Sequence, residues 1–194
     1  MINSKVEKII LRHKDKRAIV FIDDANMFYA QRRAGWKIDW SKFSQFIHQY
    51  FEIIQIRYYM GIYPDYPEFR GKRSRIEKFA KKLERLGFQT IQRPLKKIFD
   101  DHKEGEFHFK CDFDAQMGFD IGFLSSQFDL AIVVSGDSDF VWIDKELRQK
   151  GKQVLFFCYR ELAPWEIYRA THIFFEEIRS LVELAEKKNT PTRG

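Results

Sequence analysis

The chain has 194 residues and a mass of 23.4 kDa, and 44% of it is hydrophobic, with 20 Phe and 8 Tyr, which suits one domain with a sizeable core. A formal net charge of +6 and a pI of about 9.2 favour an anionic partner such as nucleic acid without requiring one. No apolar run approaches the roughly 18–20 residues of a membrane span, and the N-terminus has only residues 9–11 as an apolar stretch, so neither a membrane helix nor a signal peptide is expected. Two cysteines, Cys111 and Cys158, lack metal-type CxxC spacing and point to a reducing compartment, by default the cytoplasm.

Residues 1–16 read as a charged N-terminal extension, helical or loosely attached, before a domain at 17–186. Residues 18–22 (AIVFI) have the composition of a buried strand, and it runs straight into Asp23, Asp24, Ala25 and Asn26. A helix begins at residue 26 and turns at Gly35; another opens at Asp39, with Phe43, Phe46, Ile47 and Tyr50 at helical spacing. Residues 53–63 (IIQIRYYMGIY) are strand-like, and Pro64 and Pro67 punctuate a loop. Residues 69–86 form a basic amphipathic helix with Ile76, Phe79, Leu83 and Leu86 on one stripe and Gly87 as its stop. A short strand at 88–91 follows, then a charged segment, 93–109, that reads as a hairpin or mobile loop.

The helix expected over 112–127 carries Phe113, Met117, Asp120 and Leu124 on one stripe, which turns Asp120 inward. An inward carboxylate is costly unless paired or metal-bound. Asp114 lies about 120° away and suits the helix start, where Asp112 serves equally as a cap. Residues 130–134 (LAIVV) are a strand buried on both faces; after Ser135-Gly136, Asp137 and Asp139 fall in the turn before a helix ending at Gly151. A strand at 154–157, a short helix marked by Leu162, Trp165 and Tyr168 behind Pro164, a strand at 173–175, a helix at 178–185 and a polar tail at 187–194 complete the chain. This alternation predicts an α/β fold, a mostly parallel central sheet with helices on both faces.

In such sheets ligands bind beyond the carboxyl ends of the strands, where Asp23, Asp137 and Asp139 are delivered. Two carboxylates 4 Å apart repel by about 4 kcal/mol at an effective dielectric near 20, so a shared site needs a proton or a cation. Hard oxygen donors with few histidines favour Mg²⁺ or Mn²⁺. Such a site on a basic protein is what hydrolysis of a phosphodiester polymer requires. The plainer role of each acid is a helix cap.

FIDDAN (21–26), CDFDAQMGFD (111–120) and VSGDSDF (134–140) together resemble the NYN domain, the LabA-like branch of the PIN-like nuclease superfamily, over roughly residues 17–158. Members commonly read D-G-x-N at the first motif; here Asp24 replaces the glycine, leaving Asp23 and Asn26 in place. The resemblance implies a three-layer, PIN-like (Rossmann-like) fold and Mg²⁺- or Mn²⁺-dependent cleavage of RNA. It makes Asp23, Asp120 and Asp137 the main metal-site acids, supported by Asn26, Asp114 and Asp139.

Arg70, Lys72, Arg73 and Arg75 head a cluster of cations just after Tyr58, Tyr59, Tyr63, Tyr66 and Phe69, a combination suited to phosphates and unpaired bases. A solvated helix face beside core aromatics is the plain alternative. His102, His108 and Cys111 match no zinc spacing. A metal-dependent ribonuclease is therefore expected, against the alternative of a non-catalytic RNA-binding or regulatory module with the same fold. A phosphoryl-signalling receiver is disfavoured, because no acceptor aspartate ends the 53–63 strand. RNA is the expected partner, no membrane is, and a homo-oligomer stays open.

Overall fold

The computed structural model describes residues 2–99 and 107–185; His102 and the 187–194 tail lie outside that range. In chain order the elements are α1 (Ser4–His13), β1 (Arg17–Asp23), α2 (Asp24–Ala34), α3 (Trp40–Tyr50), β2 (Glu52–Ile62), α4 (Arg70–Arg85), β3 (Phe88–Pro94), β4 (Lys96–Phe99), β5 (Phe107–Lys110), α5 (Asp114–Phe123), β6 (Leu130–Val134), α6 (Asp139–Gln149), β7 (Gln153–Cys158), α7 (Trp165–Arg169), β8 (His172–Phe174) and α8 (Arg179–Val182).

Six strands form one wholly parallel sheet in the order β3-β2-β1-β6-β7-β8, and β4 pairs antiparallel with β5 as a separate hairpin. The chain builds outward from β1 to β3, then returns to the other side of β1 with β6. That reversal is the topological switch point, where an open α/β sheet leaves a crevice beyond its strands.

Both sheet faces are covered, which explains why the strands read as unbroken apolar runs. Along β1, Ala18, Val20 and Ile22 enter one core and Ile19 and Phe21 the other. The first core receives Met27 of α2, Phe43 of α3, Leu83 of α4 and Val182 of α8; the second receives Met117 of α5, Phe140 of α6 and Ile167 of α7. Each fully buried large apolar side chain contributes roughly 1.5–3 kcal/mol before chain entropy is counted. The charged N-terminal segment joins the first core as well: α1 is amphipathic, and Val6 and Ile10 are buried.

Local chemistry sets the boundaries. Asp39 caps α3 by accepting the Ser41 N–H at 2.9 Å, and Gly35, at φ 74°, closes α2 in a left-handed conformation that costs glycine little. Gly61 admits the base of the hairpin, since a Cβ there would lie 2.5 Å from Leu95 Cδ2 and 3.2 Å from Cys111 Cβ. The closing helix is shorter than its periodicity suggests: residues 175–178 form a 3₁₀ turn before α8. In α7 it is Ile167 that is buried, while Trp165 and Tyr168 remain exposed. Among the described residues no helix is long and apolar enough to cross a membrane.

Candidate active site

β1 and β6 are neighbours with Ile22 opposite Val134, so the acids that follow each strand open onto one crevice. Asp23 is the last residue of β1 and caps α2, accepting the Asn26 N–H at 3.1 Å. It is 7% exposed. The Ser135 hydroxyl donates to its other oxygen at 3.3 Å, and the Asp137 N–H donates to that hydroxyl at 3.2 Å. Asn26 straps the two loops together, its Oδ1 accepting the Gly136 N–H at 2.9 Å. Asp137 in turn accepts the Asp139 N–H at 2.9 Å, while Asp139 is exposed on the first turn of α6. Asp23 and Asp137 thus each accept an N–H at the start of a helix, and the two helix starts open onto the same crevice.

The second motif, residues 111–120, divides. Asp114 starts α5, its N–H donated to Asp112 at 3.0 Å, so Asp112 is the cap. Burial first, then the hydrogen bond and charge of Asp112, then the charges of Asp23 and Asp137, push the Asp114 carboxyl up to about 7. The charges of Asp23 and Asp137 thus reach Asp114, with less effect than burial and Asp112. Asp120 points elsewhere: Arg57 Nη2 and the Tyr59 hydroxyl each donate to its Oδ2 at 2.8 Å. The inward charge expected to need a metal ion is met by a guanidinium. The motif's two aspartates, expected to serve one site, thus have different surroundings: Asp120 is paired with Arg57, and Asp114 has no ion pair among the described residues.

Burial also raises the Asp23 carboxyl, assisted by the charge of Asp137 and opposed by the bonds from Asn26 and Ser135. Asp24, in the glycine position of the motif, is pushed up to about 6 by burial, eased by the Tyr58 hydroxyl that donates to it at 2.6 Å. Among the described residues none of Asp23, Asp114 and Asp137 forms an ion pair with a cation. As they stand, no three metal-ligating side chains of the described residues are gathered into a metal-holding group.

Beside this crevice a groove of about 950 Å³ runs between α2 and α4 to the hairpin. Arg75 and Lys82 of α4 line it, joined by Arg32, Lys37 and Lys110. Of the cations expected to hold RNA, Arg73 is occupied, donating to Glu77 and to the Tyr63 carbonyl, both at 2.8 Å. Lys72 sits over the Tyr63 and Phe69 rings, and Arg70 is exposed outside the groove. Arg57 carried no functional expectation, and Tyr58 and Tyr59, grouped with aromatics suited to unpaired bases, are buried. Their signal is strand alternation, which puts Arg57 and Tyr59 on the α5 face of β2 and Tyr58 on the opposite one.

The fold and the acids at its switch point define an α/β protein of the three-layer class with a carboxylate crevice at the strand ends. Residues 17–180 match the NYN domain, and the chain belongs to that family, within the PIN-like nuclease superfamily. It is similar to the low amplitude and bright protein LabA of Synechococcus elongatus, 26% identical over 178 residues, which is 90% of this chain and 91% of that protein. A Vibrio parahaemolyticus protein of unknown function has a similar fold, with a TM-score of 0.68 at 23% identity over 89% of this chain and 98% of that one.

Proposed function

We propose that this protein is a Mg²⁺- or Mn²⁺-dependent endoribonuclease acting in a reducing compartment, the cytoplasm. The observation that carries the reading is that Asp23 and the loop carrying Asp137 are tied together at the switch point by Ser135 and Asn26, with Asp114, pushed up to about 7 by burial and Asp112 first, also feeling the charges of both. Burying acids together without a counter-charge is unfavourable unless a cation or proton joins them. The donor set is all carboxylate oxygen, which fits a hard divalent cation. Asp23, Asp114 and Asp137 would hold it, in place of a set that includes Asp120. When bound, such a cation supplies positive charge at the scissile phosphate and eases the deprotonation of water. The chain's own residues do the rest: Ser135 and Asn26 fix the loop carrying Asp137 against β1, and the groove cations draw in the RNA backbone. Free thiols at Cys111 and Cys158 agree with the compartment.

The test is cleavage of labelled single-stranded and structured RNA with Mn²⁺, Mg²⁺ or EDTA. Cleavage is expected with either divalent ion and none with EDTA. RNA that is bound and never cut would assign the chain to the non-catalytic, regulatory alternative.

A second expectation concerns affinity. Reversing Arg75 and Lys82 together to glutamate should weaken RNA binding and flatten the dependence of log K on log salt by about 0.7 for each phosphate that is no longer neutralised. Reversing Arg73 should act mainly on stability, because its guanidinium ties Glu77 to the Tyr63 carbonyl. Salt titrations by fluorescence polarisation, with thermal melts alongside, separate the two. Equal salt slopes for wild type and the Arg75/Lys82 variant would remove the groove from the RNA path.

A further inference from the structure

We propose that the groove between α2 and α4 is a nucleobase pocket that seats one base of a single-stranded RNA, preferring a base with an exocyclic amino group, which Asp24 accepts. The inference rests on the RNA reading of the neighbouring site and adds the feature of the substrate that the chain recognises.

The charge of the groove selects an anion. Five cations line it against two acids, Asp24 and Asp39; Lys110 is paired with Asp112 at 3.6 Å, and Asp39 is engaged with the N–H groups of Ser41 and Lys42. A phosphate alone, however, has no use for an apolar interior. Here the interior is Trp40, Tyr58, Met60, Ile76 and Phe79, with Phe28 and Tyr29 at 50% and 63% exposure also lining it. Cations beside flat apolar surfaces fit a nucleotide, its phosphate held by the cations and its base against the rings. The groove lies near the crevice in the chain: Asp24 directly follows Asp23, and Phe113, which precedes Asp114, also lines the groove.

Asp24 gives the pocket its discrimination. One of its oxygens accepts the Tyr58 hydroxyl at 2.6 Å, and the other has no hydrogen-bond partner among the described residues. A carboxylate oxygen only accepts. Adenine, cytosine and guanine offer it an amino group, whereas the uracil N–H lies between two carbonyls that a carboxylate repels.

The experiment measures binding in EDTA, apart from any cleavage, with a fluorescent uridine nonamer and the same nonamer carrying one central adenosine. Wild type should bind the adenosine strand about tenfold more tightly, the scale of one hydrogen bond to a charged group. Asp24→Asn keeps an acceptor for Tyr58 and turns an amide donor to the groove, so the preference should vanish or reverse; Asp24→Gly should abolish it without reversal. Melting curves identify which variant is folded, and either one suffices. Equal affinity of wild type for both strands, no binding of either, or an unchanged preference in the folded variants would overturn the pocket. Mn²⁺-dependent cleavage of the same strands tests the nuclease separately. Preference without cleavage supports the pocket and counts against the nuclease, and cleavage without preference does the converse.

Discussion

Asp120→Asn should cost about 3 kcal/mol of folding stability, the scale on which loss of one member of a buried ion pair is felt. Asp120 and Arg57 are only 13% and 14% exposed at the side chain and stand 2.8 Å apart. Arg57 also donates to the Tyr59 hydroxyl and to Gln89, both at 3.0 Å, so its guanidinium is held in place by more than the pair. Asparagine would keep an acceptor for Tyr59 and leave the positive charge without its counter-ion. The double variant Asp120→Asn/Arg57→Met removes that stranded charge and should recover much of the loss. Urea midpoints for the wild type, both single variants and the double variant measure the coupling. If instead Asp120→Asn melts like wild type and has lost all divalent-dependent cleavage, Asp120 is a metal-site acid after all.

This pair also marks the boundary of what could be read from the residues. Sheet class, strand positions and the convergence of the first and third acidic motifs follow from short apolar runs that end in aspartate, because a two-sided strand leaves its next residues at the rim. Asp120 was legible as an inward carboxylate, and its partner was not, since Arg57 is 63 residues away and reaches it only once β2 lies under α5. Asp114 shows the converse. A helix-start aspartate has an ordinary local role, and only the fold reveals Asp23 and Asp137 around it. The groove was half legible: its α4 wall is an amphipathic stripe, but Arg32 and Lys37 arrive from a segment with no distinctive pattern. The N-terminal helix was masked by its charge, although Val6 and Ile10 lie four apart on one face.

Asp114→Asn is expected to lower divalent-dependent RNA cleavage by about a thousandfold and, in EDTA at pH 8, to raise the melting temperature. The first effect follows from removing a carboxylate that would hold the cation, whose charge stabilisation of the transition state is worth several kcal/mol, with each 1.36 kcal/mol a factor of about ten. The second follows from proton linkage. The carboxyl moves from the ordinary 3.8 to about 7 in the folded chain. Between those values the folded state holds a proton that the unfolded state has released, so this group's contribution to stability falls as pH rises through the window. Above pH 7 the full penalty of a charged Asp114 is present, and asparagine removes it. Asp114 is only half-buried, so after solvent screening the gain is about 1 kcal/mol, or about 3 °C for a domain of this size. At pH 4 the two proteins should melt nearly together. Mn²⁺ should stabilise the wild type, more strongly at pH 8 than at pH 6 because protons compete for the same oxygens, and should leave the variant almost unmoved. Melting curves at these pH values with EDTA and with Mn²⁺, alongside cleavage rates, decide the matter. A variant that is cut down in activity yet still gains stability from Mn²⁺ as the wild type does would place the cation away from Asp114.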